Sequence, residues 1–266
     1  MDELRLAGFR EPLGLWQRRV TPPGGASDVR AYRLEYSSRG DRVACRLWLP
    51  RKHGVECPLV LVQPPGDSAS RDRLDRIGRT WAQLGLALAS IDPPLRGSRA
   101  DPKLSRLVGT PFQPGPLRGG DPLRVELARQ AVIDLERTLD ALCGLEEIDR
   151  ERIAFVGMGL GAMFGAAFCA LDPRPRAAVL IGAGAGLAPA EVDPGSYIGR
   201  FAPRPLLLLH LRGGAVPAAA AEALGAAAGG AVEQAWLDAA EGWDTALPAC
   251  SRFLARVLQL DSRPPG

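Results

Sequence analysis

The sequence predicts an α/β chain: a mostly parallel, twisted sheet of about eight strands with helices on both faces. Two patterns carry this expectation. Short, continuously apolar runs, among them PLVLVQ (58–63), LALASID (86–92), RIAFVG (152–157), AAVLIG (177–182) and PLLLLH (205–210), have the character of strands buried on both faces. Segments of helical periodicity lie between them, and right-handed crossovers from one parallel strand to the next place such helices on both faces of the sheet.

Taken in order, residues 31–49 hold two alternating stretches, AYRLEY and RVACRLWL, around SSRGD, whose Gly and Asp suit a hairpin turn. The sheet therefore begins antiparallel. PLVLVQ and LALASID follow, with a helix-like segment over 70–84 between them. From Val125 to Leu142 the apolar residues Ala128, Val132, Leu135, Leu139 and Leu142 recur every three or four positions, with Glu126, Arg129, Asp134, Arg137 and Asp140 between them, as an amphipathic helix requires. RIAFVG then enters a Gly-rich turn and a helix over 160–171. After AAVLIG come PLLLLH with an Ala-rich helix, a strand VEQAWL (232–237), and a last helix over 247–260. The whole of 1–266 reads as one domain. Residues 1–30 form an N-terminal extension, and 93–124 and 183–203 are long Pro/Gly-rich loops of the kind that serve as lids or binding loops.

A chain of 266 residues, 46% hydrophobic, can bury one large core. Its 33 basic and 30 acidic residues leave a net charge of +3 with no tail or stripe to neutralise phosphates, so no nucleic-acid partner is expected. The start MDELRLAGFREPLGLW lacks the apolar core of a signal peptide, and no apolar run reaches the ~18 residues of a membrane span. A cytoplasmic protein with no membrane partner is expected. Cys45, Cys57, Cys143, Cys169 and Cys250 form no CxxC pair and read as thiols. No metal is expected, because the two histidines are far apart and the cysteines isolated. The sequence leaves the oligomeric state open, a homodimer included.

The segment IDRERIAFVGMGLGA (148–162) resembles the strand, nucleophile elbow and helix of the α/β-hydrolase superfamily, in the manner of its dienelactone-hydrolase and acyl-peptidase-like members. The likeness runs from about Ala31 to Leu258, supported by DPPLRGSR (92–99), the helix before the elbow, and RPLLLLH with the following VP. It implies an α/β-hydrolase fold with its site beyond the carboxyl ends of the strands. Active members carry serine at the tip of G-x-S-x-G, with histidine, an acid, and backbone N–H donors around it.

Against that pattern this chain reads as a degenerate triad. Gly157-Met158-Gly159-Leu160-Gly161 places Gly159 at the tip. Where the family's histidine falls stands Ala240-Glu241-Gly242-Trp243-Asp244; His53 sits in a loop and His210 ends a strand, a structural place. The acid loop, Leu211 to Val216, has no carboxylate, and the oxyanion loop reads Gln63-Pro64-Pro65-Gly66, with two residues that lack an N–H. Loss of one such donor costs about 3 kcal/mol of transition-state stabilisation. Gly157, Gly159 and Ala162 also match the G-x-G-x-x-A variant of a dinucleotide loop, but AAVLIGAGAG supplies no acidic residue for a ribose, so no cofactor is expected.

The expected ligand contacts are Gln63, Pro64, Pro65, Arg96, Met158, Gly159, Leu160 and Trp243, and the candidate proton-transfer groups are Asp92, Glu241 and Asp244. Arg96 has two readings, an ion pair with Asp92 or Asp101, or contact with an anionic ligand. The expected function is binding of a hydrophobic or aromatic small molecule without ester hydrolysis. The alternatives are a non-hydrolytic lyase, isomerase, cyclase or C–C bond-forming enzyme of secondary metabolism, and a structural partner of an active homologue.

Overall fold

The computed structural model describes residues 11–21, 29–51, 56–67, 70–109, 121–241 and 243–260. Among these residues nine strands form one sheet: β1 (Trp16–Val20), β2 (Val29–Ser38), β3 (Asp41–Pro50), β4 (Cys57–Gln63), β5 (Ala87–Ile91), β6 (Ile148–Met158), β7 (Ala177–Ile181), β8 (Leu206–Arg212) and β9 (Val232–Asp238), in the spatial order β1-β2-β3-β5-β4-β6-β7-β8-β9. The pairings β1/β2, β2/β3 and β3/β5 are antiparallel, and all others are parallel. Among the described residues six helices accompany them: α1 (Ser70–Gln83), α2 (Pro102–Val108), α3 (Asp121–Leu142), α4 (Leu160–Leu171), α5 (Ala218–Ala228) and α6 (Leu247–Val257). This is an α/β-hydrolase fold.

Alternation along the central strands builds two cores. Leu59, Leu61 and Phe155 pack with α3, α4 and α5 on one face, while Val60, Val62, Ala154 and Val156 pack with α1 and α6 on the other. The β2–β3 hairpin turns at Arg39 and Gly40, both at positive φ (49° and 82°), the geometry whose twist matches paired strands.

The structure adds order to three segments read as irregular. The ninth strand, β1, lies inside the expected N-terminal extension; four of its five residues are exposed, so it carries no burial pattern and exists through its pairing with β2. The segment 93–124 contains α2, whose N-terminus is capped by the Asp101 carboxylate accepting from the N–H groups of Lys103 (2.9 Å) and Leu104 (2.7 Å), and the first turn of α3. Within 183–203, short 3-10 turns at Pro194–Ser196 and Ile198–Phe201 break the loop.

A buried polar network fixes α3 against the sheet and against the loop that follows β5. Asp134, fully buried, accepts from Ser38 Oγ (2.5 Å) and pairs with Arg99 (2.5 Å), while Thr138 bonds the Tyr36 hydroxyl. Burial pushes the Asp134 carboxyl up, and Arg99 and the hydrogen bonds oppose that. His210 is buried at the end of β8, its Nε2 3.0 Å from Gln234 Oε1 and its ring 4.8 Å from that of Trp236, which matches its expected structural role. Among the described residues, no helix is long and apolar enough to cross a membrane.

Candidate active site

Between β6 and α4 the chain reverses direction at Gly159, with φ 53° and ψ −115°. Its N–H donates to Ile181 O (2.8 Å), and its own carbonyl accepts from Ala162 (3.0 Å) and Met163 (3.1 Å). The flanking glycines follow from how closely this turn packs. A Cβ on Gly157 would lie 2.5 Å from the Cα of Ala162, and one on Gly161 would lie 2.0 Å from the carbonyl oxygen of Gln63. The first turn of α4 is thereby pressed against the end of β4. The Leu160 and Gly161 N–H groups, in the first turn, have no intrahelical partner and sit at the positive end of the helix dipole.

Gln63 ends β4 opposite Gly157 and is fully buried. Both polar atoms of its carboxamide lack a hydrogen-bond partner among the described residues. Each such orphan costs about 1–3 kcal/mol, so this buried carboxamide is a group whose bonding a ligand or water would complete. Pro64 is buried and Pro65 half-buried in the loop that follows.

A cavity of about 90 Å³ opens on the α3/α4 side of the elbow, walled by Leu95, Arg96, Leu160, Met163, Phe164 and Val192 among others. Leu160 and Arg96 are sequence-expected contacts; the remaining walls come from segments distant in the chain, and no local pattern marks them. Met158 is buried in the α1/α6 core, where its side chain serves packing. Arg96 pairs with neither Asp92 nor Asp101. Its guanidinium donates to the carbonyls of Ser105 and Gly109, and burial lowers its pKa.

The three candidate carboxylates separate clearly. Asp92 accepts from the Ser98 N–H (2.8 Å) and hydroxyl (2.7 Å), which organises the turn after β5. Asp244 is 61% exposed and paired with Arg76 at 3.0 Å, with Arg73 at 4.0 Å. Glu241 lies in a 3-10 turn, Ala239–Glu241, directly after β9, and Trp243 begins the next, Trp243–Ala246; both side chains lie outside what is described, as do residues Gly242 and His53. Arg73, which the sequence reading passed over, is 14% exposed, with two guanidinium nitrogens lacking hydrogen bonds among the described residues and Asp67 3.8 Å away. Nothing in its local sequence distinguishes it from the other arginines of α1. Among the described residues, no group of His, Cys, Asp and Glu could hold a metal ion.

The model of the acetyl xylan esterase (AXE1) family matches residues 23–182, more than half of the chain. A search of curated proteins found no match. Several solved structures are similar. An acetyl xylan esterase from Paenibacillus sp. R4 is 18% identical, with a TM-score of 0.74 over 92% of this chain and 89% of that one. Acetyl xylan esterase 1 from Thermoanaerobacterium sp. JW/SL YS485 is 15% identical, with a TM-score of 0.71 over 95% and 89%. A 2,6-dihydroxy-pseudo-oxynicotine hydrolase is 16% identical, with a TM-score of 0.68 over 93% and 72%. At these identities the structures establish the fold.

The family match overturns the expectation of a non-hydrolytic binding protein and of a place in secondary metabolism, because the matched family is one of esterases. That expectation weighed the side chains at four positions, whereas the family signal extends from before β2 through β7 and includes the whole elbow. By that match the chain belongs to the acetyl xylan esterase family, within the α/β-hydrolase superfamily.

Proposed function

We propose that this chain hydrolyses small acetyl esters by direct attack of water, at the cleft beyond the carboxyl ends of β4 and β6. The observation that carries this reading is the elbow, where Gly159 keeps a sharp turn at φ 53° and ψ −115° and aims the start of α4 at the end of β4. Family membership supplies the ester chemistry. A glycine at the tip offers no attacking oxygen, so water takes that part.

In this reading the acetyl group enters the cavity of about 90 Å³ beside Leu160, a volume suited to a short acyl chain. The ester carbonyl receives hydrogen bonds from the first-turn N–H groups of α4 and from the Gln63 carboxamide, which replace donors unavailable from Pro64 and Pro65. Glu241, after β9, takes a proton as the water oxygen bonds to the acyl carbon. The tetrahedral anion then collapses, the carbon–alkoxide bond breaks, and Glu241 returns its proton to the departing alcohol. Asp92 and Asp244 hold the surrounding loops, and Arg96 lines the cavity. A cytoplasmic site suits the five free thiols.

The test is acetate release from 4-nitrophenyl acetate and from acetylated xylo-oligosaccharides by the purified chain. Release above the uncatalysed rate is expected, with Glu241→Gln reducing it by about 100-fold or more. A fluorophosphonate should leave both the rate and the protein mass unchanged. Absence of release from either ester would refute the activity, and a stoichiometric adduct would reassign the attack to a side chain.

A further inference from the structure

A second, larger cavity, of about 500 Å³, lies on the α1 side of the sheet, and Arg33, Arg46, Arg71, Ser90, Asp92 and Ser98 are among its walls. Strand register explains how the arginines come together. Arg33 on β2 is directly opposite Arg46 on β3, and Arg46 is directly opposite Ser90 on β5. The row continues outward, since Arg18 on β1 is opposite Arg33. Cross-strand partners share a face, so the sheet carries three arginines in one line, with Arg71 reaching the same cavity from the first turn of α1.

Like charges directly opposite one another destabilise a ladder. The available carboxylates offset this row incompletely. Arg33 pairs with Glu35 at 2.9 Å, but the nearest carboxylate to Arg46 is Asp75 at 4.0 Å. Two acids share the cavity wall with the three arginines: Asp92, which accepts from Ser98 and also acts on Arg46, and Asp67, 3.8 Å from Arg73. Burial first, and then the neighbouring Arg71, lowers the pKa of Arg46, while Asp75 and Asp92 oppose that.

We propose that this cavity is a binding site for a small phosphate monoester, the dianion bridging Arg33, Arg46 and Arg71 with the Ser90 hydroxyl at its floor. Planar guanidinium groups bind phosphate oxygens in pairs, and three of them in the wall of one cavity favour a dianion over a single carboxylate. The volume, within the usual range for small-molecule sites, leaves room for a sugar-sized body beside the phosphate. The site stands on its own residues and is independent of the esterase reading.

Isothermal titration calorimetry with glucose 6-phosphate and with glucose, at low salt, tests it. Saturable binding of the phosphate ester and none of glucose is expected. Arg46→Gln and Arg71→Gln should each weaken binding by about tenfold or more, while Arg150→Gln leaves it unchanged. Arg71 is exposed, so R71Q keeps the test decisive should R46Q fail to fold. Absence of saturable binding, equal binding of glucose, or wild-type affinity in R71Q would overturn the proposal.

Discussion

Gly159 holds a backbone conformation that an L-residue adopts only under strain, about 1–3 kcal/mol. Replacing it with alanine should therefore destabilise the fold by about 2 kcal/mol, or about 4–8 °C in melting temperature for a domain of this size. An unchanged thermal melt would show that the turn relaxes. The elbow itself was legible, because Gly157, Gly159 and Gly161 follow an apolar strand and precede a helix at fixed spacing. The fates of the carboxylates were less so. Asp92 finds Ser98 six residues on, a local turn that the sequence permits, whereas Asp244 finds Arg76 from the far side of the chain. Gln63 stood out as a polar residue at the end of an apolar run, yet its missing partners are a property of everything packed around it.

At the scale of elements, α3 depends on one buried ion pair. Asp134 and Arg99 are 0% and 12% exposed, and the pair ties the loop after β5 to the helix. Asp134→Asn leaves the guanidinium without its buried charge partner and should cost about 3 kcal/mol, measurable as a lower denaturant midpoint. It should also raise proteolysis in the segment around α2, which that loop feeds. A midpoint within experimental error of the parent would show that Asp41, 3.5 Å from Arg99, suffices. The helix was readable from its apolar spacing, and so were the buried strands. β1 was not readable, since a strand exposed along most of its length shows no alternation. The ion pair was also beyond the sequence, because Asp134 occupies what looks like the polar side of an amphipathic helix and is buried only because the β2–β3 hairpin and the β5 loop close over it.

For the whole molecule, the cysteines set a limit at alkaline pH. Burial lifts Cys45 and Cys250 from 9.0 to about 12 and Cys57 to about 11. Tyr36 is raised in the same sense. Folded values above unfolded ones mean that the stability these groups contribute is intact below about pH 9 and is lost as pH rises through about 11 to 12. Urea midpoints should hold level from pH 7 to 9 and fall beyond it, less steeply in a Cys45→Ala, Cys250→Ala variant. A level profile up to pH 11 in the parent chain would contradict this. The sheet also ends on β1, which pairs with β2 on one side and carries Arg18 and Arg19 at its centre. Two molecules meeting along that border would bring these cations together, so mutual repulsion opposes fibre growth along it. Concentrated salt screens that repulsion, and the colloidal behaviour of the protein is thereby tied to ionic strength through a five-residue ribbon.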